Sequence, residues 1–327
     1  LLFNFRGPLS LMGQSTDHRL TERRSGGVEA TSLPWIPIPH LDDLWFQVGG
    51  TLCNLTCHHC FISCSPKNRS FGFLSLEEVK RRLEESVALG VKEYYFTGGE
   101  PFLNPEMTEI LCETLRYGPA TVLTNATVLK AEWLERLRSA EEASLYSLEF
   151  RVSIDGFSPE TNDPIRGIGT FERAMEGVEK LVTHGFLPII TAARTWPMEQ
   201  DREVVEQFVQ LLKARGYDRP RLKILPTLHI GAEEQRTHGY GDDERVTPAM
   251  LDGYDQSQLV CQHSRIVTDR GIQVCPILIE LPDSVLGQTL AESLRPYAIQ
   301  HGACWTCYQF GAICSNPSSG NRQGVAR

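Results

Sequence analysis

Residues 44–60 read Leu44-Trp45-Phe46-Gln47-Val48-Gly49-Gly50-Thr51-Leu52-Cys53-Asn54-Leu55-Thr56-Cys57-His58-His59-Cys60. The run opens as a short apolar strand, Leu44 to Val48, and passes into a loop with cysteines at 53, 57 and 60. Three thiolates at this spacing hold three irons of a four-iron cluster and leave the fourth iron open. A ferredoxin that only carries electrons closes its cluster with four cysteines. An open iron is a coordination site for chemistry, so the spacing points to a catalytic cluster. The rival reading is zinc, which takes four ligands. Cys64 would supply a fourth thiol, and His58 or His59 an imidazole.

Outward from this run, strand and helix alternate. Ser75 and Glu78 have capping-box spacing, and Leu76, Val79, Leu83 and Val87 follow at helical intervals until Gly90. Glu93 to Thr97 reads as strand, 106–117 as helix, Ala120 to Thr124 as strand and Lys130 to Ser139 as helix. Leu148 to Ile154 is a strand of clean alternation. Thr170 to His184 is a helix, Leu187 to Ala193 a strand, 200–214 a helix and Arg221 to Leu225 a strand. This alternation implies parallel pairing through βαβ crossovers. The expected fold class is α/β, a partial (β/α)6 TIM-like barrel, with functional residues at the carboxyl ends of its strands.

Those ends are pointed. The second strand ends in Thr97-Gly98-Gly99-Glu100-Pro101, the third in Leu123-Thr124-Asn125 and the fourth in Ser153-Ile154-Asp155-Gly156. Paired glycines let a backbone approach a ligand closely, and a carboxylate can receive an ammonium group. Zinc would leave all of these without a purpose.

Together with the cysteine loop, these residues resemble the radical S-adenosylmethionine (radical SAM) enzymes over about residues 44 to 226. The resemblance implies a [4Fe-4S] cluster on Cys53, Cys57 and Cys60, with S-adenosylmethionine chelating the open iron. It implies that Gly98, Gly99 and Glu100 receive the methionyl amine and that Asn125 and Ser153 reach the ribose and methionyl groups. Arg166 would pair with the carboxylate. The residue before the last cysteine is usually aromatic in the family; here it is His59, which can still stack on adenine. The implied chemistry is reductive cleavage to a 5′-deoxyadenosyl radical and hydrogen-atom abstraction, with reduced flavodoxin or ferredoxin as electron donor.

A second cysteine group, Cys261, Cys275, Cys304-Trp305-Thr306-Cys307 and Cys314, resembles the family's auxiliary-cluster modules in their short, twitch form rather than the longer SPASM form. The resemblance implies one auxiliary [4Fe-4S] cluster, on Cys261, Cys275, Cys304 and Cys307 with Cys314 in reserve. A zinc knuckle is the alternative. On the fourth strand Glu149, Arg151 and Ser153 share a face, and Lys223 on the sixth is a candidate to join them. They read as substrate contacts for a small polar substrate, or as a Glu149–Arg151 structural pair.

Composition bounds the rest. The chain has 327 residues, ten cysteines and a net charge of −9, which argues against a nucleic-acid partner. No apolar run approaches the ~18 residues of a membrane span. Two cysteine clusters far apart suggest metal sites rather than a disulfide framework. With no leader at its start, the chain is expected to be cytoplasmic. The expected division is a loosely structured extension over 1–43, the barrel over 44–230, the auxiliary module over 231–314 and a disordered tail over 315–327. The auxiliary cluster would assist oxidation, substrate binding or sulfur transfer. The rival functions are a maturase of a ribosomally made peptide and a non-catalytic iron–sulfur or zinc protein.

Overall fold

The computed structural model describes residues 33–311 and residue 313. The expected tail, Cys314 and residues 1–32 of the expected extension lie outside the described residues. Strand β1 (Trp35–Ile36) comes first. The barrel strands are β2 (Asp43–Phe46), β3 (Glu93–Phe96), β4 (Ala120–Thr124), β5 (Leu148–Ser153), β6 (Ile189–Ala193) and β7 (Arg221–Leu225). After them come β8 (Ser264–Thr268), β9 (Gly271–Gln273), β10 (Val285–Gly287) and β11 (Tyr297–Ala298).

The sheet runs β10-β9-β8-β2-β3-β4-β5-β6-β7 and does not close. From β8 to β7 every pair is parallel. The chain is therefore an α/β partial barrel, as expected, with one correction. β8, from the segment assigned to a separate C-terminal module, pairs with β2 and extends the barrel sheet, Leu44 lying opposite Arg265. The expected loose extension also needs correcting at its end. β1 pairs antiparallel with β11, and Ile36 and Leu41 are buried.

The crossovers carry helices α1 (Leu76–Leu89), α2 (Met107–Thr114), α3 (Ala131–Glu142), α4 (Pro159–Arg166), α5 (Thr170–Thr183) and α6 (Asp201–Ala214). Ser75 Oγ accepts from Glu78 N at 3.2 Å, while the Glu78 carboxylate turns to Arg81 and Arg82. Gly90 ends α1 at φ 73°, a left-handed conformation glycine adopts without a Cβ clash. Val87, expected on the apolar stripe, is exposed; Ser86 is buried instead and hydrogen-bonds Tyr94 Oη at 2.7 Å. A buried phenol needs a polar partner, and that need sets the phase of the last turn. Helix α4 is not among the expected helices: Pro159 opens it in the first turn, where proline is tolerated, but Pro164 falls inside it and breaks its pattern.

Strand alternation sorts two cores. Leu44, Phe46, Tyr94, Phe96, Val122, Phe150 and Ile190 pack outward with the helices. Trp45, Tyr95 and Ile266 point into the lumen beneath Cys53, Leu55 and Cys64. Parallel register sets Trp45 beside Tyr95 and Phe46 beside Phe96, with ring centroids 4.4 Å and 5.2 Å apart. Such stacks contribute about 0.5–1.5 kcal/mol each beyond burial. They hold rigid the strand that launches the cysteine loop. No helix among the described residues is long and apolar enough to cross a membrane.

Candidate functional site

The carboxyl ends of the barrel strands open into a cavity of about 240 Å³ lined by Cys53, Cys57 and Cys60. His59, Gly98, Gly99, Asn125, Ser153 and Arg166 line it too, and deeper in, Arg151 and Lys223. The segment after β7 and the C-terminal region add Leu228, Pro276 and Ile313 to its lining.

Main-chain bonds fasten the cysteine loop to the strand ends. Gly49 N donates to Thr97 O at 3.2 Å, Gly99 N to Gly50 O at 2.9 Å and Glu100 N to Leu52 O at 2.9 Å. A Cβ at Gly98 would lie 2.6 Å from Gly49 Cα, and one at Gly99 would lie 2.1 Å from Leu52 O. The space these glycines leave is thus taken by the loop itself, which differs from the expectation that a ligand fills it. Gly98 adds φ 149°. Asn125 closes the other side. Its amide donates to Asn54 Oδ1 at 2.9 Å and lies 3.8 Å from Cys53 Sγ.

Glu100 is fully buried and is not among the cavity's lining residues. Its carboxylate accepts from Phe102 N at 3.1 Å, Thr124 Oγ1 at 2.7 Å and Asn125 N at 2.8 Å. Burial raises its carboxyl to about 7 against the pull of these bonds. In this geometry it braces the end of β4, whereas the resemblance implied contact with an ammonium group.

Asp155 joins four segments. Its Oδ2 lies 2.7 Å from His59 Nε2 and 2.5 Å from Arg166 Nε. Its Oδ1 accepts from Ala193 N at 2.7 Å. Burial alone would raise its pKa, but Arg166 and His59 outweigh burial and hold it well below the usual carboxylate range. Arg166 Nη1 reaches to 4.0 Å from Cys57 Sγ, and His58 N donates to Ile165 O at 2.9 Å. The cysteine loop, β5, β6 and α4 are pinned at one buried carboxylate. The sequence marks Asp155 only as part of a strand end. Its spacing of two from Ser153, on the same strand face, is the one signal that points to it.

Burial pushes the Cys53 thiol up to about 12 and raises Cys57. Such sulfurs favour the thiolate only against a cationic core. Cys60 differs: its neighbour Cys64 hydrogen-bonds its sulfur and lowers its pKa, and Cys64 N also lies 3.3 Å from Cys60 Sγ. Among the described residues no three His, Cys, Asp or Glu side chains converge on a point suited to one metal ion. Cluster ligands bind different irons and stand further apart than the ligands of a single zinc ion.

The second group comes together as expected. Cys261, Cys275, Cys304 and Cys307 are buried, free of disulfides and line one apolar cavity with Val260, Ile277, Tyr297 and Ile299. Burial raises all four thiols, Cys307 to about 12. Four soft donors lining one apolar cavity suit an iron–sulfur cluster.

Of the expected substrate contacts, Arg151 and Lys223 line the first cavity and Glu149 does not. Glu149 Oε1 lies 3.2 Å from Arg151 Nε, and its Oε2 2.8 Å from Arg221 Nη2. The Arg151 guanidinium lies 5.3 Å from the Tyr95 ring centroid. Sequence reasoning missed Thr191 and Ala193, which line the cavity but carry no distinctive chemistry.

Comparison with known proteins agrees with this geometry. The chain is 38% identical over 131 residues to the AdoMet-dependent heme synthase of Methanosarcina barkeri, covering 39% of this chain and 36% of that protein. It is 32% identical over 137 residues to the subtilosin biosynthesis protein AlbA of Bacillus subtilis, covering 41% of this chain and 29% of that protein. The mycofactocin maturase MftC of Mycobacterium tuberculosis is 32% identical over 135 residues, 41% of this chain and 33% of that protein. The matches thus span about a third of each relative. In fold the chain resembles Streptococcus suis SuiB bound to S-adenosylmethionine (TM-score 0.56, 15% identity, 74% of this chain and 62% of that one). It also resembles anSMEcpe with bound AdoMet (TM-score 0.57, 19% identity, 78% and 77%). The family model described as the radical SAM superfamily matches residues 48–212, half of the chain and the part that builds the cavity floor and cysteine loop. The protein belongs to the radical SAM superfamily, a family of enzymes.

Proposed function

We propose that this chain binds a [4Fe-4S] cluster on Cys53, Cys57 and Cys60 with S-adenosylmethionine on its open iron, and oxidises a small polar substrate in the adjoining cavity. The carrying observation is that the three cysteines share one 240 Å³ cavity with Asn125, Ser153 and Arg166 at the carboxyl ends of parallel strands. When bound, the cluster and S-adenosylmethionine supply a 5′-deoxyadenosyl radical that takes a hydrogen atom from substrate. The chain's own part is to hold and enclose. Asp155 fixes His59 and Arg166 at the cavity wall. His59 Nδ1 is buried without a partner among the described residues, an orphan that a nucleoside could satisfy. Arg166 would meet a carboxylate, and Leu228, Pro276 and Ile313 would keep water from the radical.

The auxiliary cluster would sit on Cys261, Cys275, Cys304 and Cys307. Four thiolates leave no open iron, which favours an electron-accepting role over substrate binding or sulfur transfer. A second reading is a maturase acting on a residue of a ribosomally made peptide. It is favoured by the relatives named for mycofactocin maturation and subtilosin biosynthesis and by the SuiB structure with precursor peptide SuiA. A short peptide encoded beside this gene, changed in mass by the reconstituted enzyme, would select the second reading. Anaerobic reconstitution tests the cluster assignment. Wild type should hold about eight irons, and a variant lacking Cys53, Cys57 and Cys60 about four. About four in the wild type would overturn the two-cluster assignment.

A further inference from the structure

Arg265 sits on β8, fully buried. Its guanidinium donates to Cys261 O at 2.8 Å, Ser264 O at 2.7 Å, Ser293 O at 3.0 Å, Arg295 O at 3.1 Å and Val274 O at 3.5 Å. Every one of these acceptors is a main-chain carbonyl; among the described residues no carboxylate is recorded in contact with it. A buried cation without a counter-ion is costly, and carbonyl dipoles offset only part of that cost.

The second cysteine site lies beside it. Two of the guanidinium's acceptors are the carbonyls of Cys261 and of Val274, the residue before Cys275. A four-iron cluster on four thiolates is net negative, and one charge more negative when reduced. A fixed cation close to its ligands therefore stabilises the reduced form over the oxidised form.

Resting on the auxiliary-cluster reading above, we infer that Arg265 is the built-in counter-charge of the Cys261–Cys275–Cys304–Cys307 site and raises its reduction potential. It acts through the field it places on the ligands, without touching substrate. It makes this cluster the easier one-electron acceptor, and its seat on β8, beside β2, fixes that charge to the strand that launches the catalytic cysteine loop.

The test uses the full chain lacking Cys53, Cys57 and Cys60, so that only the auxiliary iron is read. Iron content comes first. Absence of iron overturns the auxiliary-cluster reading, and the inference with it. With about four irons present, the midpoint potential is followed by EPR in a redox titration. Arg265→Met should lower the reduced-to-oxidised ratio at fixed potential about tenfold, a shift of about 59 mV to more negative values. Arg265→Lys should stay near the parent. An unchanged potential in a folded, iron-loaded Arg265→Met chain overturns the inference while leaving the cluster assignment standing. Arg265→Gln, which keeps an amide donor without the charge, is read if the Met variant does not fold. If both neutral variants lose iron while Arg265→Lys keeps it, the requirement is for charge and the inference holds. If all three lose it, Arg265 serves only to tie carbonyls together.

Discussion

Replacing Asp155 with Asn removes one charge from a fully buried site and little volume. The substituted side chain would keep an oxygen for Ala193 N. It would turn an amide donor toward His59 Nε2 and Arg166 Nε, the two groups now 2.7 Å and 2.5 Å from Oδ2. Arg166 is left as a buried cation without its partner. Breaking a buried pair in this way costs about 3–5 kcal/mol. With a urea slope of about 3 kcal/mol/M, the unfolding midpoint should fall by about 1–1.7 M. The assay is urea unfolding of the anaerobically purified chain, followed by tryptophan fluorescence. Adding Arg166→Met to Asp155→Asn should restore part of the loss, because the orphaned charge goes with it. The pH dependence has a definite sign. The folded pKa of Asp155 is lowered, so its contribution is present above the unfolded value, about 3.9, and is lost only as pH falls through the lower folded value. The difference between wild type and variant should therefore be flat from about pH 5 to 8. A midpoint unchanged by Asp155→Asn, or a double variant worse than the single, would refute the claim that this carboxylate pins the loop.

Glu100 should behave in the opposite sense. Its folded pKa is raised to about 7 by burial, so wild-type stability should decline as pH rises from about 4.3 toward that value. Glu100→Gln should abolish the slope; an identical slope in both chains would show that Glu100 does not titrate there. Gly99→Ala puts a Cβ 2.1 Å from Leu52 O; the loop must shift, and triad iron should fall by roughly half or more. Full iron loading would mean that the loop absorbs the clash. Cys64→Ala should retain the triad's iron, since Cys64 serves the Cys60 sulfur as a hydrogen-bond partner. Loss of about four irons would make Cys64 a ligand.

What could be read in advance was local or periodic. The apolar runs of β2 to β7, the stripe of α5 (Phe171, Ala174, Met175, Val178, Leu181) and the spacing of Cys53, Cys57 and Cys60 are each visible within a short window. So was the set Cys261, Cys275, Cys304 and Cys307, because sulfur stands out in any sequence. What escaped depends on long-range pairing. β8 joins β2 across more than two hundred residues, which no local period records. Helix α4 hides behind Pro164 in its interior. Ser86 displaces Val87 from the buried face because of a hydroxyl on the neighbouring β3. Gly98 and Gly99 announced a close approach, but only the fold shows that Gly49 and Leu52 make it. Arg265 sits in a short strand, Ser264–Thr268, that no local period singles out, and its meaning depends on cysteines placed there by other segments.

If the triad turns S-adenosylmethionine into a hydrogen-abstracting radical, 5′-deoxyadenosine must be released. The most direct measurement is 5′-deoxyadenosine released by the reconstituted, chemically reduced chain under anaerobic conditions. The wild type should release it, and Cys57→Ala with its auxiliary iron intact should release none. Intact S-adenosylmethionine after reduction of a wild-type chain carrying its full iron would contradict it.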